Sequence, residues 1–245
     1  RPFIERLGLA LQDDAFQCAQ YPGKCYSGTW DGQGDGDAMK VHLVLPGTCK
    51  TFGVDSVGTV GGGIATYAAI QSLSPDVVIN AGTCGGFHAR GGKVGSIYLC
   101  DTFLFHDRRI PLPGFKEYGV GKIQTVGLCP AMVRAMGAAV GIVSSGNSLD
   151  MSPEDEKYIT EHAATCKDME GAAVAHTAQM LGVPMFALKS VTDIVDGEHP
   201  TEKEFMANLS QAAESLQAAL PRLLRYLMDK PFQIAIPKEK TSSED

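Results

Sequence analysis

Several things are missing from this sequence, and each absence removes a class of function. No apolar run reaches the about 18 residues that a membrane-spanning helix needs, so no membrane partner is expected. Positive charge is not in excess: 21 Lys and Arg stand against 28 Asp and Glu, a net charge of −7. Neither nucleic acid nor an anionic membrane surface would be drawn to such a chain. Cysteine is present seven times, at 18, 25, 49, 84, 100, 129 and 166, but never as Cys-x-x-Cys and never beside a histidine-rich spacing. That excludes a zinc site or a disulfide framework and favours reduced thiols in a cytosol-like compartment, with no metal and no cofactor expected. No Gly-Lys-Ser/Thr follows a glycine loop at P-loop spacing, and no Gly-x-Gly-x-x-Gly fingerprint follows a strand. No internal repeat is found. No secretory signal is visible, and the chain begins at Arg1 rather than methionine, so further residues are expected upstream, where an organelle-targeting segment would lie. Asn208-Leu209-Ser210 fits the glycosylation pattern, but it sits on an expected helix without a secretion signal and reads as coincidence.

What is present is ordinary for a soluble enzyme-sized domain: 245 residues, 44% hydrophobic and 20% charged. One large α/β domain over 1–230 is favoured over two small ones. Phe3 to Leu11 reads as the end of a helix, and residues 15–30 show no clear period. Asp31 to Asp37 is a turn signal, the tip of a long hairpin. Strands are expected at Val41–Pro46, Asp76–Ala81, Ser96–Phe105, Ala139–Gly146 and Pro184–Thr192. Helices are expected at Val57–Leu73, from Ser152 onward, at 170–182 and at Thr201–Met228. Ser152 with Pro153, Glu154 and Asp155 is a strong helix start: a hydroxyl cap, then proline, then acids in the first turn. Residues 231–245 read as a mobile polar tail. Strands alternating with helices imply an α/β fold, a three-layer sandwich with a central mixed, largely parallel sheet flanked by helices.

Two carboxylates stand out. Glu170 opens the small-residue run Gly171-Ala172-Ala173-Val174-Ala175, and Asp193 follows the apolar run Met185 to Thr192. An acid where a buried strand ends lies at the mouth of an α/β sheet, where ligands bind. Two acids in different protonation states can break a glycosidic bond. Plainer readings stay open: Glu170 as a surface acid favoured by a helix dipole, Asp193 as a cap or a turn residue with Asp196-Gly197. Gly82-Thr83-Cys84-Gly85-Gly86 is either a tight strand-to-helix turn or exposed backbone that holds an anion or a hydroxyl-rich ligand. His106-Asp107-Arg108-Arg109 reads as a solvated loop or as one anchored against a partner subunit. Thr83 and Cys84 sit in no nucleophile elbow with a matched histidine, which excludes covalent catalysis.

Five segments occur in one order: Asn80-Ala81-Gly82-Thr83-Cys84-Gly85-Gly86, Phe105-His106-Asp107-Arg108-Arg109-Ile110-Pro111, Ser145 to Ser152, Asp168-Met169-Glu170-Gly171-Ala172-Ala173 and Val191-Thr192-Asp193. Together they closely resemble the 5′-methylthioadenosine nucleosidases of plant and algal type, a branch of the nucleoside phosphorylase-like fold, and Val54 to Val60 fits that branch too. The resemblance runs from about Arg1 to Tyr226. It implies hydrolysis of the N-ribosidic bond of 5′-methylthioadenosine, with water as nucleophile and a homodimer as the working form.

The resemblance also implies roles. Asp193 matches the acid that protonates the leaving adenine, with Thr192 orienting it. Glu170 matches the clamp on the ribose hydroxyls, and Met169 packs against the sugar. Leu149, Asp150 and Met151 match the segment that sandwiches and reads adenine, and Thr83 and Gly85 line the floor. Ile110, Pro113 and Phe115 match a loop that closes the alkylthio pocket of the neighbouring subunit. Two departures stand out. Asn147 replaces a usual aspartate, and the glutamate that activates water would precede Arg1; Glu5 comes too late in the alignment to serve. A phosphorylase on the same fold would need an arginine cluster, and Arg108-Arg109 is the only adjacent pair. A non-catalytic relative, serving as a storage protein or as a structural subunit of a larger assembly, is the remaining alternative.

Overall fold

The computed structural model describes residues 2–32 and 38–229. Most of the expected hairpin tip and all of the expected tail lie outside those residues. In chain order the elements are α1 (Pro2–Arg6), β1 (Ala10–Gln12), β2 (Lys24–Trp30), β3 (Met39–Leu45), α2 (Gly58–Leu73), β4 (Val78–Gly86), β5 (Ile97–Phe105), α3 (Lys116–Val120), β6 (Ile123–Gln124), α4 (Pro130–Met136), β7 (Ala139–Ser145), α5 (Pro153–Glu161), β8 (Cys166–Asp168), α6 (Gly171–Met180), β9 (Met185–Ile194) and α7 (Thr201–Asp229).

The main sheet is mixed and flanked by helices. Its order is β6-β5-β7-β8-β4-β9, and β9 also pairs with β5, so five of the six strands close into a ring. The pairs β4–β9, β5–β7 and β7–β8 are parallel, whereas β4–β8, β5–β6 and β5–β9 are antiparallel. β9 explains itself from its sequence. It is buried on both faces along nearly its whole length, as a continuous apolar run demands. Its Phe186 and Leu188 pack toward α4 and α7 with Leu216, Leu220 and Leu223. Its Ala187 and Val191 pack on the other side with Ala172, Ala175 and Ala178 of α6. These two apolar clusters separate the three layers.

α6 and α2 come together through small residues. A Cβ on Gly62 would lie 3.1 Å from the Cβ of Glu170, and one on Gly63 would lie 3.5 Å from Thr177 Oγ1. Glycine here provides room for close approach.

β1, β2 and β3 form a separate antiparallel sheet. Here the structure corrects the sequence reading. The chain is a strand at Ala10–Gln12 rather than a continuing helix, and residues 15–30, without a visible period, contain β2. The alternation is hidden because both faces of β2 are partly covered: Tyr26 and Trp30 pack with the α7 cluster, while Cys25 is fully buried. Gly82–Gly86 is not a strand-to-helix turn; it is the end of β4 itself. All seven cysteines are free. Among the described residues no helix is long and apolar enough to cross a membrane, and no cluster of His, Cys, Asp or Glu is arranged to hold a metal ion.

Candidate functional site

Asp193 is placed by an irregularity in the sheet. β4 and β9 run in parallel register until Cys84↔Val191 and then resume at Gly85↔Asp193, leaving Thr192 as one extra residue on β9. Such bulges re-aim side chains near ligand sites. Thr192 Oγ1 lies 2.6 Å from Asp193 Oδ1 and 3.1 Å from the Cys84 carbonyl. By donating to Oδ1 the hydroxyl leaves Oδ2 for another partner. Oδ2 sits where Gly85 has no side chain: a Cβ there would approach it to 2.8 Å. Asp193 is only 3% exposed. Burial lifts its carboxyl above the usual aspartate range; the Thr192 hydroxyl and the charge of Lys167 oppose that, and Glu204 adds to it. Asp193 is therefore neither a cap nor a turn residue. Asp196 takes that work, accepting the His88 and Ala89 N–H groups at 2.6 and 3.0 Å.

Glu170 stands at the junction of β8 and α6. It occupies the N-cap position of α6 but makes no side-chain cap bond. That duty falls to Asp168, which accepts from Gly171 N, and to Ser145 Oγ, which accepts from Ala172 N at 2.8 Å. The Glu170 carboxylate turns instead to the start of α2, where the Gly58 N–H donates to Oε1 at 2.7 Å. Gly58 has φ +90°, a left-handed conformation in which only glycine is at ease. Burial raises the Glu170 carboxyl; the Gly58 N–H and Lys189 oppose this, and Asp168 adds to it. The surface-acid alternative is thereby excluded.

Behind these acids lies a buried ion pair. Lys189 Nζ is 2.8 Å from Asp168 Oδ2, with both side chains almost fully buried, and Ser145 Oγ donates to Asp168 Oδ1 at 2.5 Å. Burial lowers the Lys189 ammonium pKa, but Asp168 outweighs that and holds the group charged. Removing one partner of such a pair costs roughly 3–5 kcal/mol.

The segment from Asn147 to Ser152 is held from four sides. Asn147 Oδ1 accepts from Thr59 N and Oγ1, both at 2.9 Å, while Asn147 N and Nδ2 donate to Asp107 Oδ2 at 2.7 and 3.2 Å. Lys167 Nζ donates to the carbonyls of Ser148 and Leu149 at 2.8 and 2.9 Å. At the far end Ser152 and Asp155 form a reciprocal capping box for α5, and Arg109 Nη1 reaches Asp155 Oδ1 at 2.6 Å. Leu149 is 42% exposed, while Met151 packs with Phe87, Ile159 and Ala164.

The other site candidates are placed as follows. Thr83 and Gly85 lie on β4 beside Ser190 and Asp193 of β9. Met169 precedes Glu170 at half-buried depth, and Asp150 is exposed. Ile110 packs at Gly119, whereas Phe115 is 51% exposed and stacks edge-on against Tyr118; this loop is on the outer surface. Nearby is an open cleft of about 440 Å³ lined by Thr59, Gly63, Asp107, Arg108, Asn147 and His176. It takes Thr59 and Gly63 from α2 and Ala173, His176 and Thr177 from α6, and neither Glu170 nor Asp193 lines it. Sequence reading missed Lys167, Asp168 and Lys189. A usable signal was there: a charged residue inside a buried run must have a partner.

Comparison with known proteins adds to this geometry. A family profile described as the phosphorylase superfamily matches residues 8–225. The 5′-methylthioadenosine nucleosidase of Arabidopsis thaliana is 40% identical over 226 residues, covering 92% of this chain and 82% of the relative. The 5′-methylthioadenosine/S-adenosylhomocysteine nucleosidase of the same plant is 45% identical over 192 residues, covering 78% and 75%. The apo structure of the Arabidopsis 5′-methylthioadenosine nucleosidase superposes with a TM-score of 0.88 over 94% of this chain and 91% of that one.

Proposed function

We propose that this chain, which belongs to the 5′-methylthioadenosine nucleosidase family of the phosphorylase superfamily, hydrolyses the N-ribosidic bond of 5′-methylthioadenosine to adenine and 5-methylthioribose. The observation that carries the reading is the pair of carboxylates at the strand ends, Asp193 buried and Glu170 half-buried, each given a different neighbourhood.

The chemistry follows from those neighbourhoods. Breaking the bond between C1′ and N9 sends its electron pair to the base and leaves a ribosyl cation-like transition state. Adenine leaves more readily once N7 is protonated. Asp193, whose ionisation burial opposes, delivers that proton from Oδ2 while Thr192 holds Oδ1. Glu170 accepts the ribose hydroxyls, and its negative charge stabilises the cation that forms. Water then adds to C1′, and the proton it sheds restores Asp193 to its acid form, so that one water is consumed and adenine and 5-methylthioribose leave. Leu149, Asp150 and Met151 read the base, Thr83 and Gly85 form the floor, and Met169 packs against the sugar. Release of 5-methylthioribose fits recovery of the methylthio group for methionine.

The working form is a homodimer in which the Ile110–Phe115 loop closes the partner's alkylthio pocket. The exposed apolar stripe made by Val57 at the cap of α2 and by Val60, Ile64 and Tyr67 within it supports this.

The test is adenine release from methylthioadenosine with and without phosphate. Release independent of phosphate is expected. Strict dependence on phosphate would make the protein a phosphorylase, and no release in either case would favour a binding or structural role.

A further inference from the structure

We propose that Lys167 is a positioning residue of this reaction, which ties the base-reading segment to the leaving-group acid by holding the Ser148 and Leu149 carbonyls while standing across Gly85 from Asp193. The inference rests on the nucleosidase reading for its chemistry and on the sheet for its geometry.

The register places the three residues in a row. Lys167 of β8 pairs with Gly85 of β4, and Gly85 pairs with Asp193 of β9. Directly paired residues project to the same face of a sheet, so Lys167 and Asp193 rise on one face. The central position of the row carries no side chain to separate them. Any Cβ on Gly85 would press on Asp193 Oδ2 at 2.8 Å and on Val195 at 2.5 Å. The Lys167 side chain is long enough to pass its ammonium beyond the strand end to Ser148 and Leu149. One buried cation thus contacts the base-reading segment and acts on the acid. Lys167 is only 5% exposed, and a buried ammonium must earn its place.

A neutral donor would satisfy two carbonyls equally well, so the charge has a separate use. The proposed reaction needs Asp193 protonated and uncharged at the start, the form that burial favours. As its proton passes to N7 it becomes an anion in a buried site. The attraction of Lys167 then grows with the developing charge, and only an interaction that strengthens toward the transition state accelerates a reaction.

The charged groups around the pair are accounted for. Burial works against the Lys167 ammonium, and Asp193, Asp155, Asp150 and Asp168 act in its favour. His106, from the end of β5, feels the same cation as an opposing charge. Glu204 of α7, which accepts from the Ile194 N–H, opposes the ionisation of Asp193. Removing the Lys167 charge leaves burial and Glu204 less opposed, so Asp193 should hold its proton to higher pH and give it up less readily.

Two variants of the full chain separate charge from contact. Lys167→Gln keeps an N–H donor for the carbonyls and removes the charge; Lys167→Arg keeps the charge. Each is followed by the 13C carboxyl titration of Asp193, assigned by its loss in Asp193→Asn, and by the pH profile of kcat/KM for adenine release. In Lys167→Gln the Asp193 midpoint and the alkaline limb should both move to higher pH, and kcat should fall about tenfold or more. In Lys167→Arg both should stay near the parent values. If Lys167→Gln fails to fold, Lys167→Met supplies the neutral variant. Unchanged titration in the neutral variant, or equal shifts in Gln and Arg, would overturn the proposal. Should the parent protein release no adenine, the nucleosidase reading fails, while the carboxyl titration still decides whether Lys167 acts on Asp193.

Discussion

At the scale of single residues, the two acids have pKa values raised by the same cause, burial, but the proposed reaction needs them in opposite protonation states. In the proposed reaction Glu170 acts as an anion, and burial lifts its pKa, so activity should fall on the acidic side at a pH above that of an ordinary glutamate. Asp193 in that reaction acts as an acid, and burial lifts its pKa too, so activity should persist to a pH at which an ordinary aspartate would be ionised. A bell-shaped kcat/KM profile is expected, its acidic limb set by Glu170 and its alkaline limb by Asp193. Asp193→Asn cannot donate the proton; it should lose turnover by about 100-fold or more while still binding adenine in calorimetry. Unchanged turnover would remove Asp193 from the role. Asn147 makes a different point. Its amide accepts from Thr59 through the oxygen and donates to Asp107 through the nitrogen. An aspartate could do the first but not the second, and would set two carboxylates against each other. Asn147→Asp should therefore destabilise the fold by about 1 kcal/mol, read as a fall in urea midpoint. Asp107→Asn in the same chain should restore part of the loss.

At the scale of elements, what could be read in advance depends on whether the signal is local. The long apolar run of β9, the small-residue run of α6 and the capping signature of α5 are properties of consecutive residues, and all three elements lie where the sequence places them. β8 is three residues long, too short for any period, and it exists because β7 and β4 lie on either side of it. The extra residue at Thr192 is a matter of register between two strands, invisible in either alone. The same holds for Lys189 with Asp168: each is an unexplained charge in a buried run until the fold joins them. Two predictions belong here. Gly85→Ala would drive a methyl group against Asp193 and Val195, so turnover should fall more than about tenfold, with a stability loss of roughly 1–3 kcal/mol. Full activity in that variant would mean that the acid has room to spare. At the start of α5, burial tends to raise the Asp155 carboxyl, but Arg109 and both Ser152 donors outweigh it, and the net shift is downward. A depressed acid stabilises the fold above its unfolded pKa and loses that contribution as pH falls through its folded value. Asp155→Asn should cost about 1–2 kcal/mol at neutral pH, and the melting curves of parent and variant should converge in acid.

At the scale of the whole molecule, the distribution of exposed apolar surface is uneven. Val57, which caps α2, and Val60, Ile64 and Tyr67 within it are 64, 73, 52 and 56% exposed and recur at helical spacing on one side. Elsewhere on α2, Thr59 and Gly63 line the cleft that Arg108 and Asp107 border. The loop that follows from Arg108 carries Leu112 and Phe115, 58 and 51% exposed. A continuous apolar stripe on a helix is unusual for a surface meant to face water, and it marks a contact face. A homodimer built on α2 would cover it and carry the Ile110–Phe115 loop of each copy toward the other. Val60 and Ile64 touch neither Glu170 nor Asp193, so replacing them tests assembly without altering the acids. Val60→Glu with Ile64→Glu would bury four like charges across a two-fold axis, since each copy brings two. The variant should sediment as a monomer at concentrations where the parent sediments as a dimer. Its circular dichroism should be unchanged, and its KM for methylthioadenosine should rise as the alkylthio pocket loses the partner's loop. Kcat should change less, because the acid and the sugar clamp lie within one chain. A parent protein that sediments as a monomer and is fully active would show that the stripe serves another purpose and that the pocket closes without a second copy.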